Sequence, residues 1–259
     1  MYKIVFFDVD GTLLSELDRS LPDSTNLAIE KLIASGIKVV VATGRPYNLC
    51  EEFTSLGIDT IISANGALIS CQGEIIDKSV LTLETVQAVT AFAGLNGHGI
   101  SYFTEEFSMN GIGCEDERMI RALQETLGIT QYPSIVSALP EEVYCICLYG
   151  DDSETQKFTD QFPYLRFVRF HGYVTNVLEA TEVSKSIAMK KVLEHFDFCA
   201  SEAIAFGDGG NDIDMLACAG LGIAMGNGAE HLKQKADFVT KKASEGGIAY
   251  ALEKFGVIS

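Results

Sequence analysis

Basic residues are scarce in this sequence: 19 Lys and Arg stand against 36 Asp and Glu, a formal charge of -17. A field of that sign repels nucleic acid and anionic lipid unless a local patch reverses it. It leaves an anionic small molecule open, because a divalent cation or a few basic groups can invert the sign inside one pocket. No run of eighteen apolar residues occurs, so no apolar spanning helix is expected and no membrane partner. The opening MYKIVFFDVDGT carries acid directly after its apolar run, unlike a secretory leader, and a cytoplasmic protein is the expectation. Internal repeats and low-complexity tracts are lacking. The seven cysteines, at 50, 71, 114, 145, 147, 199 and 218, are odd in number in a large chain, which reads as reduced thiols rather than a disulfide framework. Cys145 and Cys147 share a face of a strand-like run but lack the further Cys or His that a metal site needs.

What remains is a 259-residue chain, 47% apolar and 21% charged, large enough for a substantial core. It opens with the buried-strand run Ile4–Phe7, ended by Asp8 and the turn residues Gly11 and Thr12. A helix follows Pro22 and stops at Gly36; a second buried strand, 38–42, is cut off by Thr43-Gly44-Arg45-Pro46. A short helix through Leu49 and Phe53, the strand 60–63, the turn Asn65-Gly66 and a hairpin across Gln72-Gly73 complete a parallel α/β unit. From 82 to 180 the pattern changes to mixed α+β, with strands over 143–149 and 165–170 and a helix over 151–162 between them. The parallel pattern then returns: a helical stripe through Met189, Val192, Leu193 and Phe196, a strand 203–206 ending at Gly207-Asp208, a helix 213–218, a strand 221–225 and a terminal helix. The expected architecture is a Rossmann-like parallel-sheet core, residues 1–81 and 181–259, interrupted by an α+β insert over 82–180.

Four expected strand ends carry polar groups: Asp8 with Asp10, Thr43, Asn65, and Asp208 with Asn211 and Asp212. Open α/β sheets bind ligands beyond the carboxyl ends of their strands. Any one such residue also makes an ordinary turn. Several carboxylates at two strand ends repel one another unless a hard divalent cation joins them, and an all-oxygen donor set suits magnesium rather than zinc. The run Gly207-Asp208-Gly209-Gly210 lacks the spacing of a dinucleotide loop.

Four motifs, in order, resemble the signatures of the haloacid-dehalogenase-like phosphohydrolases: DVDGT at 8–12, the Thr43-Gly44-Arg45 turn, Lys185 in EVSKSIAMKKVL, and GDGGND at 207–212. The Asn65-Gly66-Ala67 turn and the position of the insert resemble the Cof-type subgroup, whose insert is a C2-type α/β cap. One departure is Ser186, where relatives commonly carry glycine.

The resemblance implies a Mg²⁺-dependent phosphatase acting on a small phosphorylated metabolite, such as a sugar phosphate, a nucleotide or a phosphorylated cofactor, through an aspartyl-phosphate. It implies Asp8 as nucleophile and Asp10 as acid/base, with the Asp10 backbone carbonyl on the metal. Thr43, Gly44, Lys185 and Asn211 are implied as phosphate contacts, Arg45 and Asn65 as further substrate contacts, and Asp8, Asp208 and Asp212 as metal ligands. A phosphomutase and a non-catalytic phosphometabolite sensor on the same fold are the alternatives. A cap that opens and closes over the site needs no partner to cover it, which favours a monomer over a weak dimer. In the insert, Tyr102, Phe103, Phe107, Asn110, His171 and Tyr173 have chemistry that could face a pocket, but each such residue is more often core or surface, and none is taken as a site residue.

Overall fold

The computed structural model describes residues 1–104 and 106–259; the side chain of Phe170 is outside the description. Five strands come first: β1 (Ile4–Phe7), β2 (Lys38–Ala42), β3 (Thr60–Ser63), β4 (Leu68–Cys71) and β5 (Glu74–Lys78). Among the described residues, six follow in the inserted stretch: β6 (Ile100–Phe103), β7 (Phe107–Met109), β8 (Ser134–Ile135), β9 (Cys145–Tyr149), β10 (Leu165–His171) and β11 (Val174–Glu179). The last three are β12 (Ala203–Gly207), β13 (Leu221–Ala224) and β14 (Phe238–Val239).

The chain forms two compact units. The first comprises Met1–Thr43, Glu51–Asp77 and Ser184–Ser259. Its sheet runs β14-β13-β12-β1-β2-β3-β4-β5. Pairing is parallel from β14 through to β3 and turns antiparallel at β4. β1, β2, β3, β12 and β13 are buried almost throughout, which is why they read as continuous apolar runs rather than alternating ones. The helix Lys185–His195 lays Ala188, Met189, Val192 and Leu193 against Ile4, Phe6, Val40 and Ala205 in one cluster. At its start Ser184 accepts from the Ile187 N–H, a side-chain cap that fixes where Lys185 emerges.

β1 sits between β12 and β2, so the connections leave it in opposite directions and a crevice opens at the carboxyl ends of these strands. Those ends are Asp8, Thr43 and Asp208, one residue beyond β1, β2 and β12.

The second unit comprises Gly44–Cys50 and Lys78–Val183. Its sheet runs β10-β11-β9-β6-β7-β8. The helices Leu83–Asn96 and Asp152–Gln161 supply Val86, Val89, Ala93 and Phe158 to a core shared with Ile100, Tyr102, Ile146, Leu148 and Val177. The expected helix through Leu49 and Phe53 is two short pieces, a 3₁₀ turn at Tyr47–Leu49 and an α turn at Glu51–Thr54, and the unit boundary falls between them. Every cysteine is a free thiol; Cys114 and Cys199 are exposed, whereas Cys50, Cys71, Cys145 and Cys147 are buried. Among the described residues no helix is long and apolar enough to cross a membrane.

Candidate active site

Lys185 organises the first unit's polar centre. Its side chain is fully buried, and its ammonium donates to Asp8 Oδ1 and, at 2.7 Å, to Asp212 Oδ1. Burial alone would lower its pKa; Asp212 and Asp8 outweigh that and hold the ammonium above its ordinary value. The other oxygen of Asp212 accepts from the Asp208 N–H at 3.1 Å and the Gly209 N–H at 2.9 Å. Asp212 thus shapes the loop after β12 while neutralising the lysine.

Asp8, Asp208 and Asp212 each offer an oxygen within 4.8 Å of the other two. Desolvation pushes Asp8 up to about 7, against the pull of Lys185 and with Asp212 adding repulsion. Asp208 rises to about 8, through desolvation first and then the charges of Asp8 and Asp212. One ammonium is too little positive charge for three carboxylates. The all-oxygen set fits a hard divalent cation, and no nitrogen or sulfur ligand belongs to it. Gly11 shows how tightly the oxygens are enclosed: its φ is +83°, and a Cβ there would collide with Asp208 Oδ2.

Asp10 stands apart from this trio. Its exposed carboxylate accepts from Arg19 Nη2 at 3.1 Å, and Arg19 reaches it from a left-handed turn with φ 61°. On the other side of the centre, the Thr43 N–H donates to Ile62 O and its carbonyl accepts from the Asn65 N–H at 2.9 Å. Asn65, also left-handed at φ 55°, lies in a turn pressed against the start of the Lys185 helix, where a Cβ on Gly66 would meet Ser184 O at 2.5 Å. Asn211 Nδ2 donates to Asn65 Oδ1 at 2.9 Å. The Asn65 side-chain NH₂, in a residue 2% exposed, has no protein acceptor. A buried donor left in that condition is costly unless a ligand or water takes it.

The fold therefore gathers Asp8, Thr43, Asn65, Lys185, Asp208, Asn211 and Asp212 in the first unit. Gly44 and Arg45 group with the second unit, where Arg45 is buried. Of the pocket candidates in the insert, Tyr102 is core and bonds Thr90 Oγ1, Phe103 is core, and Asn110 caps the backbone of Ile100 and His98. Two residues at the centre escaped the sequence reading. One is Arg19. The other is Asn227, whose Nδ2 donates to Gly11 O at 2.8 Å and whose Oδ1 accepts from the Ala243 N–H, tying three loops beside Asp208. Its only sequence signal was a position between two turn glycines.

A parallel sheet with a carboxylate trio and a buried lysine at its switch point defines a class. The family described as haloacid dehalogenase-like hydrolase matches residues 5–252, and the chain belongs to that family. The chain is 32% identical to "Putative phosphatase YkrA" of Bacillus subtilis, over 99% of this chain and 98% of that one. Among solved structures it resembles the haloacid dehalogenase subclass IIB sugar phosphatase BT4131 at 33% identity and a TM-score of 0.87, covering 99% of this chain and all of the other. It also resembles, at 32% identity, a TM-score of 0.90 and full coverage of both chains, a protein whose structures show a trigonal-bipyramidal intermediate conserved in a phosphoryl-transfer superfamily.

Proposed function

We propose that the protein is a Mg²⁺-dependent phosphatase that hydrolyses small phosphomonoesters, of which a sugar phosphate is the first class to test. The observation that carries the reading is the enclosed Asp8–Lys185–Asp212 array with Asp208 beside it. Relatives named as phosphatases across their full length support it. Asp8, Asp208, Asp212 and the Asp10 backbone carbonyl would hold the cation. When bound, it supplies the positive charge that lets these carboxylates share a site with a phosphate dianion and polarises the phosphoryl oxygens.

Asp8 attacks phosphorus and the ester P–O bond breaks; Asp10, which enters this step in its protonated form rather than as the carboxylate that accepts from Arg19, gives its proton to the departing alkoxide, leaving an aspartyl-phosphate on Asp8. Asp10, now a carboxylate, takes a proton from water as the water oxygen attacks phosphorus and frees Asp8. Lys185 offsets the charge that builds on the transferring group. The Thr43 side chain, the Gly44 N–H and the NH₂ groups of Asn65 and Asn211 are the proposed phosphate donors, and Arg45 a further substrate contact. We read residues 1–81 and 181–259 as the catalytic core and 82–180 as a C2-type cap of the Cof-type subgroup that sets substrate preference.

The test is hydrolysis of a chromogenic phosphomonoester with Mg²⁺, repeated with Asp8→Asn and in excess chelator. Turnover that survives either change overturns the reading.

A further inference from the structure

The second unit contains a row of buried polar side chains that its apolar core does not need. Ser101, Cys147 and Asn176 lie directly opposite one another on β6, β9 and β11, so they share one face of the sheet, and Tyr149 lies two residues beyond Cys147 on that face. All four are 2% exposed or less. Tyr149 Oη and Ser101 Oγ are 3.2 Å apart. Cys147 Sγ donates to Asn176 Oδ1 at 3.1 Å, and Asn176 Nδ2 donates to the Gly44 carbonyl at 3.2 Å. The row ends on the backbone of the Thr43-Gly44-Arg45 turn.

The polarity of this chain of bonds is set at Gly44, whose carbonyl can only accept, so the Asn176 NH₂ faces it and the Asn176 oxygen is left for the thiol. The buried Cys147 thiol holds its proton and donates to that oxygen, which keeps the amide from turning. Gly44 has no side chain to restrain it and would otherwise sample a wide range of conformations. The peptide between Gly44 and Arg45 is trans, which points its C=O and N–H in opposite directions. An amide that grips the Gly44 oxygen therefore fixes the Gly44–Arg45 peptide, and by holding Gly44 in one conformation it also restrains the Gly44 N–H, the proposed phosphate donor.

We propose that Asn176, oriented by Cys147, is a positioning residue for the Thr43-Gly44-Arg45 turn, and that it tunes how tightly that turn takes the phosphate group. The proposal rests on the reading of this turn as a phosphate-binding loop. Asn176 acts through Gly44 and performs no chemistry.

The experiment compares the parent with Asn176→Asp, Asn176→Ala, Cys147→Ala and Cys147→Ser. It measures steady-state kinetics on a chromogenic phosphomonoester, direct titration with inorganic phosphate, and thermal unfolding. Asn176→Asp keeps the shape but exchanges the amide for an acid, so Asn176→Ala, which removes the donor and adds no charge, must move the constants the same way. Losing one buried hydrogen bond should raise KM and the phosphate dissociation constant by about five- to tenfold while kcat stays within about twofold. Cys147→Ala should move the same two constants in the same direction, and Cys147→Ser, which restores a donor, should return them toward the parent. Unchanged phosphate binding in a stably folded Asn176 variant overturns the proposal. If both Asn176 variants fail to fold, equal phosphate affinities in Cys147→Ala and the parent overturn it. Because the phosphate titration needs no turnover, an inactive parent whose phosphate affinity still falls in Asn176→Asp would sink the phosphatase reading and leave this one standing.

Discussion

Lys185 and Asp8, 177 residues apart in the chain, form a buried ion pair at the carboxyl end of the central strand. The pair joins the first strand of the chain to the helix that resumes the first unit after the insert, so the site cannot form before both pieces of that unit have docked.

Replacing Lys185 by Met keeps much of its length but leaves Asp8 and Asp212 without their buried counter-charge. Breaking such a pair costs about 3–5 kcal/mol. Lys185→Met is expected to lower the denaturation midpoint clearly in chelator, and to lose phosphomonoesterase activity even where it remains folded. Denaturant unfolding monitored by circular dichroism, paired with the kinetic assay, checks both.

Metal-free protein should lose stability as pH rises. Asp8, at about 7, and Asp208, at about 8, hold protons in the fold that the unfolded chain releases. An unperturbed aspartate titrates near ~4, so the cost of ionising the cluster is absent below that pH, accumulates between roughly 4 and 8, and is complete above it. The two groups interact, so the titration belongs to the cluster. Mg²⁺ should relieve the cost. Melting temperatures with Mg²⁺ and with chelator should therefore diverge between pH 5 and pH 8; a constant gap would argue that these carboxylates do not bind the cation.

Gly11→Ala is expected to damage the site out of proportion to its size. The substitution forces a side chain into a left-handed conformation and drives its Cβ into Asp208 Oδ2. Mg²⁺ affinity by calorimetry should fall at least about tenfold, the equivalent of a 1.4 kcal/mol loss.

Asp10→Asn should penalise substrates by leaving group. General acid help is worth roughly 10²–10⁴-fold, and most of that is redundant when the departing group is already a weak base. An alkyl phosphate should suffer far more than nitrophenyl phosphate. Equal losses would remove Asp10 from the role of leaving-group acid.

Asp8, Thr43 and Asp208 were legible because each ends an unbroken apolar run, and in a parallel sheet both strand faces are covered, so the run is visible without periodicity. Lys185 was legible only through the resemblance of EVSKSIAMKKVL to a family signature, because a lone lysine at a helix start reads as a surface residue. β11 was not. Thr175 and Asn176 interrupt its apolar residues, and asparagine disfavours strand; only the ladder from β10 on one side and β9 on the other makes Val174–Glu179 a strand. The same residue that hid the strand is the one that reaches Gly44. Arg19 and Asn227 were hidden for a different reason: their contacts, to Asp10 and Gly11, depend on loop conformations that no local pattern encodes.

The distribution of thiols offers a practical handle. Cys199 is exposed in the first unit and Cys114 in the second, while the four buried cysteines are shielded from reagent. With the half-buried Cys218 changed to serine, maleimide dyes should attach at two positions, one on each body, without a newly introduced cysteine. Energy transfer between the dyes would then follow any excursion of the insert while phosphate or Mg²⁺ is added, one molecule at a time.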